Sequence, residues 1–324
     1  MGKRTTIGDV AAAAGVSVAT VSRVLNGGAV REDTAARVWS AASTLEYTPN
    51  ALTKSIFSGR STTIGVVIRD LSSPFYLDLM RGIDEVAGAN DSLVMFANTY
   101  RRADRETAHV RTMDEQRVRG LIVTTDESTD DRIRGMAANG TPCVVVARTM
   151  AGFAAPGPHS VSLDNDAAGR LMAAHLTACG HSSVGVCSGR RPSQAERTVG
   201  LTAGLADAGL PAPVVAEAGT EEEIPAAVST LLARGRLDAI VCMTGRLTVG
   251  TYTALTAAGL TVPDDIAFLT MDEFSWAAAL GITVVTQPSY EMGRTAASLV
   301  VDAPADPVHH VFTPTLIPRT SCGE

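Results

Sequence analysis

Three groups of residues in this sequence have types and spacing suited to chemistry. The first is Gly185-Val-Cys187-Ser-Gly189, which follows a β-branched run and puts a thiol where a strand-to-helix elbow would hold its nucleophile. Arg190-Arg-Pro-Ser193 directly after it reads as a poor helix start, so the sharp turn of such an elbow is not expected, and neither is catalysis. The second group is the histidines, His109, His159, His175, His181, His309 and His310, none spaced as an H-x-x-x-H pair. His309 and His310 precede Val311-Phe312 in an expected strand, where neighbouring side chains point to opposite faces. The cysteines Cys143, Cys179, Cys187, Cys242 and Cys322 are scattered and show no C-x-x-C, so neither a metal site nor a disulfide framework is indicated. No G-x-x-x-x-G-K-[ST] or strand-borne G-x-G-x-x-G occurs, so nucleotide chemistry lacks its phosphate cradle and no cofactor is expected. The third group is a helix face. Over 18–26, Val21, Val24 and Leu25 take one side while Ala19, Ser22, Arg23 and Asn26 take the other, a surface that is small, polar and basic. Such a face fits a major groove, where one guanidinium can hold two acceptors on a guanine edge.

The elements that must position that face follow from the local pattern. Thr6 suits the cap of a first helix, with Asp9 placed to reach back; Ala14-Gly15-Val16 is a turn, and Ser17 caps the second helix. Glu32 and Asp33 suit the first turn of a third helix whose stripe is Val38, Ala41, Ala42 and Leu45. This is a helix-turn-helix arrangement. Its charge agrees: residues 1–60 hold seven Lys/Arg against four acids, a net of +3, whereas the remainder of a chain of total charge −7 carries −10. A small basic module joined to a large acidic one suits a polyanionic partner for the first alone.

From Ile64 onward, short apolar runs alternate with amphipathic stretches. Ile64–Ile68, Leu93–Phe96, Leu121–Thr124, Val144–Val146, Val184–Cys187, Ala239–Cys242 and Ile266–Leu269 read as strands covered on both faces. Tyr76–Ala89, Ala167–Cys179, Gln194–Ala208 and Leu247–Ala258 read as crossover helices. This is a doubly wound α/β pattern too long for one sheet, and the Gly- and Pro-containing Ala147–His159 segment is expected to divide it into two lobes with a cleft between them. In a chain of 324 residues with 45% hydrophobic and 19% charged side chains, disordered, collagen-like and disulfide-scaffold classes are excluded. No apolar run is long enough for a bilayer and the first residues do not read as a signal peptide, so a cytoplasmic chain is expected.

Thr6-Ile-Gly-Asp-Val-Ala-Ala-Ala-Ala-Gly-Val-Ser-Val-Ala-Thr-Val-Ser-Arg-Val-Leu-Asn26 resembles the headpiece signature of the LacI/GalR (lac repressor) family of bacterial transcription regulators. The similarity continues through Tyr47-Thr-Pro-Asn-Ala51, Ser73-Pro-Phe75, Leu163-Asp-Asn165, Arg197-Thr-Val-Gly200, Met271-Asp-Glu273, Gln287-Pro288 and Arg319-Thr-Ser-Cys-Gly323, essentially the whole chain. The resemblance implies a headpiece over 1–48 and a hinge helix over 49–60. It further implies periplasmic-binding-protein-like lobes of doubly wound parallel sheet over 61–163 with 290–315 and over 164–289 with 316–324.

It also implies roles. Val18, Ala19 and Arg23 would contact bases, Thr6, Ser17, Thr20 and Asn26 phosphates, and Thr53, Lys54 and Ile56 of the hinge the minor groove, Ile56 standing where the family usually has Leu. Asp70, Ser73, Phe75, Arg148, Asp164, Arg197, Asp272 and Trp276 would bind a small effector in the cleft, a sugar or glycoside being the leading class. Three departures bear on that cleft: Thr244-Gly245 stands where Asn-Asp is common, Ala147 where Asp is, and two residues are missing between Leu280 and Gly281. The partners implied are palindromic operator duplex DNA, the effector and a second copy of the chain, with the Tyr76–Ala89 helix a candidate dimer surface on the nucleoid-associated regulator. No leucine-heptad tail follows to join dimers into tetramers. Other readings are a solute-binding protein of the transport type, disfavoured by the fused helix-turn-helix, and a corepressor-dependent regulator sensing a nucleobase or other metabolite. The sequence leaves open the operator, the regulated genes and whether the effector releases or strengthens DNA binding.

Overall fold

The computed structural model describes residues 5–25, 28–47, 61–124, 127–150 and 157–323. Asn26, Thr53, Lys54 and Ile56 therefore lie outside the described residues. The chain divides into two compact units, Met1–Thr62 and Thr63–Glu324.

The first unit holds α1 (Ile7–Ala14), α2 (Val18–Leu25) and α3 (Glu32–Thr44). Thr6 and Asp9 form a reciprocal capping box at the start of α1, as their spacing predicts, each satisfying a backbone N–H that the helix leaves unpaired. Gly15 ends α1 in the left-handed region at φ +63°, where a side chain would be strained. Ser17 Oγ accepts from the Thr20 backbone N–H at 3.2 Å and starts α2. Val10, Ala14, Val21, Val24, Val38 and Ala42 pack into one small core, so each helix spends its apolar stripe on the other two.

The second unit is built on two six-stranded sheets. The first joins β1 (Thr63–Ile68), β2 (Leu93–Asn98), β3 (Gly120–Val123), β4 (Cys143–Val146), β5 (His159–Leu163) and β11 (His309–Phe312), in the order β11-β5-β4-β3-β1-β2 and all parallel. The second joins β6 (Val184–Ser188), β7 (Val214–Glu217), β8 (Ala239–Cys242), β9 (Ala267–Met271), β10 (Thr283–Thr286) and β12 (Thr315–Ile317), in the order β12-β10-β9-β8-β6-β7. In the second sheet only β12 runs antiparallel to its neighbour. All seven strands expected from the sequence are present to within a residue or two.

Two expectations need correction. The division between lobes does not fall within 147–159: His159–Leu163 pairs with β4 in the first sheet, and the chain crosses to the second lobe after Leu163. β5 escapes a hydropathy reading because its buried residues include the polar His159, Ser160 and Ser162; Ser160 Oγ pairs with His309 Nδ1 at 2.8 Å and His159 Nδ1 accepts from Val308 N at 3.0 Å. The second correction concerns Arg190–Ser193, which does start a helix. Proline is favoured at the first helical position, where its missing N–H costs nothing.

The helices that cover the sheets are α4 (Pro74–Ala89), α5 (Ala103–Glu115), α6 (Asp130–Ala138), α7 (Asn165–Ala178), α8 (Pro192–Asp207), α9 (Ile224–Ala233), α10 (Gly245–Ala257), α11 (Ser275–Ala279) and α12 (Ser289–Asp302). Two pairs pack backbone to backbone. Gly82 of α4 and Gly293 of α12 each meet a backbone carbonyl of the partner helix, those of Tyr290 and Leu79, and Gly169 of α7 and Gly200 of α8 do the same with Arg197 and Asp166. A Cβ at any of the four would collide with main chain, which cannot move aside. No described single helix is long and apolar enough to cross a membrane.

Candidate functional site

In the first unit, α1 and α2 meet at 103° across the Gly15-Val16-Ser17 turn, inside the range of a DNA-binding helix-turn-helix. Burial of Val21 and Val24 turns Val18, Ala19 and Arg23 outward, and all three are exposed, Val18 to 47%. Ser17 and Thr6 are exposed beside their caps and Thr20 is half-buried, its hydroxyl 2.9 Å from that of Ser17.

In the second unit a cavity of about 550 Å³ opens where the carboxyl ends of the strands of the two sheets face one another. Asp70, Ser73 and Tyr76 come from the segment after β1, and Ala147 and Arg148 from the end of β4. The opposite wall is Arg190 to Gln194 after β6, with Gly219, Thr244 and Arg246. This is the crevice position expected of a doubly wound sheet. The first turns of α4, α8 and α10 contribute residues to this cavity, which places the positive ends of three helix dipoles at its wall.

Of the residues singled out for an effector, the structure brings together Asp70, Ser73 and Arg148 on the cavity wall. Asp70 is engaged there: Oδ1 accepts from Ser72 N at 3.1 Å and from its hydroxyl at 2.8 Å, and Oδ2 pairs with Arg101 Nε at 3.2 Å. Arg148 is held by Asp130 of α6.

The other five stand elsewhere. Phe75 is buried in the core of the first lobe, edge to face with Tyr76 at 5.1 Å. Asp164 caps α7, accepting from Ala167 N at 2.9 Å. Arg197 is buried one turn beneath the wall, donating to Asn165 Oδ1 at 2.9 Å and to the Met243 carbonyl at 2.8 Å. Burial pulls its guanidinium below the ordinary arginine value, and Asp272 opposes that. Asp272 has both oxygens taken, by Gln287 Nε2 at 2.7 Å and by the Gly245 N–H at 3.2 Å. Trp276 stacks on Phe274 with ring centroids 4.1 Å apart and packs on the second lobe's core. The Thr244-Gly245 departure has a local reason, since a Cβ at 245 would stand 2.8 Å from Asp272 Oδ2 and 3.0 Å from its Cβ.

Sequence reasoning passed over most of the wall's charge. Arg69, Arg101, Arg190, Arg191 and Arg246 line the cavity together with Arg148. Every one of the six follows the carboxyl end of a parallel strand within four residues, and that placement was the available signal. Arg246 Nη2 donates to the Gly219 carbonyl at 3.2 Å, and Arg101 Nη1 reaches the same oxygen from the other lobe at 3.4 Å.

Comparison with known proteins agrees with both halves of this geometry. Residues 6–50 match the family described as bacterial regulatory proteins, lacI family, and residues 61–313 match periplasmic binding proteins and the sugar binding domain of the LacI family. The HTH-type transcriptional regulator GalS of Salmonella typhimurium is 32% identical over 98% of this chain and 96% of its own length. A solved complex of the transcriptional regulator CelR with cellobiose superposes with a TM-score of 0.71 at 26% identity, covering 98% of this chain and all of that one. The lac repressor dimer bound to operator shares the fold, with a TM-score of 0.81 at 22% identity and 99% coverage of both chains. The chain belongs to the LacI family of bacterial transcriptional regulators.

Proposed function

We propose that this chain is a dimeric repressor that reads a palindromic operator with α2 and retunes its grip when a small molecule of the sugar class enters the cleft. The observation that carries the reading is the 103° helix pair presenting Val18, Ala19 and Arg23 together on an exposed face. Arg23 supplies the bidentate donor for guanine, Val18 and Ala19 the apolar contacts for thymine, and Thr6, Ser17, Thr20 and Asn26 the phosphate contacts that fix register. Thr53, Lys54 and Ile56 would enter the minor groove, with Ile56 the apolar wedge.

Asp70, Ser73, Phe75, Arg148, Asp164, Arg197, Asp272 and Trp276 remain the effector set that the family resemblance implies. The wall positions of Asp70, Ser73 and Arg148 favour direct contact for those three, and support from behind for Arg197 and Asp272. A dimer contact through the first lobe is supported by the exposed Leu77 of α4 and by Leu93 and Met95 of edge strand β2, Leu93 being 73% exposed. The cellobiose in the CelR complex favours a sugar here as well. Such a regulator works in the cytoplasm, on the nucleoid.

Ligand closure of the lobes must act through a difference in affinity between two arrangements, about 1 to 3 kcal/mol in typical cases. A mobility-shift titration of the full-length protein on the DNA upstream of its own gene, repeated with a panel of sugars, tests this reading. It expects a retarded band that one sugar-class molecule weakens. No band with or without those molecules defeats it.

A further inference from the structure

The cleft wall is a surface of donors. Each guanidinium carries five N–H groups and no acceptor, and six of them face a single wall carboxylate, Asp70, whose oxygens are already engaged. The acids that pair with other arginines stand behind the wall: Glu106 with Arg69, Asp130 with Arg148, and Glu217 and Glu223 with Arg190. A neutral sugar hydroxyl both donates and accepts, so a wall built to hold one mixes carboxylates and amides with its donors. Here the Gln194 side chain and the hydroxyls of Ser73, Tyr76, Ser128, Ser193 and Thr244 offer that mixture.

Arg246 is the most telling residue. Its Nη2 donates to the Gly219 carbonyl, while its buried Nη1 has no hydrogen-bond partner, a state that costs free energy until an acceptor arrives. Burial and the neighbouring cations Arg101 and Arg69 both push the Arg246 guanidinium below its ordinary value, with Asp70 and Glu221 opposing them. The protein thus gathers guanidinium groups around a hollow at which three helices also begin, and an anion would supply the acceptor that Arg246 Nη1 lacks.

We propose that the effector is a small organic anion, a sugar or polyol bearing a phosphate or carboxylate group, with its charged end seated beside Arg246 and Arg101 and its hydroxyls against Ser73, Gln194 and Thr244. This rests on the reading of the cleft as the effector site and narrows it. The cavity has room for a molecule of that size. Bidentate guanidinium contacts fit both groups, so chemistry at the wall admits either source of charge.

The test is calorimetric titration and thermal melting of the full-length protein with glucose, fructose, their 6-phosphates, glucuronate and inorganic phosphate. At least one charged member is expected to bind about tenfold or more tightly than its neutral counterpart, with the advantage shrinking as salt rises. Greater affinity for a 6-phosphate identifies a phosphate ester, and greater affinity for glucuronate a sugar acid. Arg246→Gln is expected to erase the advantage and Arg246→Lys to keep part of it. The melting temperature of each variant without ligand reports its folding, and Arg246→Gln should melt no lower than the parent because it removes the cation with the unsatisfied Nη1. Equal binding of neutral and charged sugars, no response to any anion at millimolar concentration, or an advantage that survives Arg246→Gln overturns the proposal. The mobility shift on upstream DNA is scored separately: a band without any anion preference defeats this inference alone, and an anion preference without a band defeats the regulator reading alone.

Discussion

At the scale of single residues, Arg23 is where the DNA account is most exposed to test. If its guanidinium bridges a guanine, Arg23→Ala costs about 1 to 3 kcal/mol of operator affinity and relaxes preference at one base pair while leaving others unchanged. A quantitative mobility shift over an operator series with single-base changes checks this. A uniform loss across all sequences would mean that Arg23 touches phosphate instead. The outward face of α2 was legible because a period of 3.6 alone separates Val21 and Val24 from Ala19 and Arg23. The cleft was less so. Asp272 sits in the left-handed region at φ +68°, with its oxygens committed to Gln287 and Gly245, and both facts arise from strands brought together by the fold. Arg246 directly follows Thr244-Gly245, the pair that departs from the family pattern. The glycine makes room for Asp272, and the next residue carries a charge to the wall.

At the scale of elements, the close helix pairs are the most demanding feature. Gly82→Ala or Gly293→Ala would force α4 and α12 apart, and each is expected to cost about 1 to 3 kcal/mol in chemical denaturation, the range of overpacked cores. Gly88→Ala, in the same helix with open space around it, is the control and should be neutral or slightly stabilising through helix propensity. A second test concerns β5 and β11. His159 Nδ1 accepts from the Val308 N–H at 3.0 Å, so the imidazole must be neutral at that nitrogen. Burial first, then the nearby His309, holds its pKa below the ordinary 6.5. The unfolded chain therefore takes up a proton that the folded chain refuses. The stability from this site is full above pH 6.5 and falls as pH drops through that value toward the folded pKa. His159→Gln, which can still offer an acceptor, should flatten that part of the stability curve measured by urea unfolding; an unchanged acid limb would exclude His159 as its source. The strands legible in sequence were those with continuous apolar runs, such as Ile64–Ile68. Polar β5, edge strand β7 and three-residue β12 carry no such pattern, because partners elsewhere in the chain make them strands.

At the scale of the whole molecule, the chain couples a basic three-helix reader to an acidic two-lobed sensor, and its sequence showed that division as a change of charge sign and of hydrophobic period near residue 60. Which lobe each late segment joins came from the family resemblance and has no counterpart in charge or hydrophobic period. β11 and β12 are separated by two residues yet belong to different sheets, a consequence of a chain that crosses between the lobes repeatedly. An effector that favours one arrangement of the lobes is expected to change operator affinity by about 5- to 150-fold, the usual span of such coupling. All of this presupposes that α2 discriminates among duplexes. The most direct measurement is an equilibrium competition at moderate salt, with full-length protein on the duplex upstream of its own gene against random-sequence duplex of equal length. The account predicts a preference of at least about a thousandfold for the upstream duplex, falling steeply for Arg23→Ala. Equal affinity for the two duplexes would contradict it.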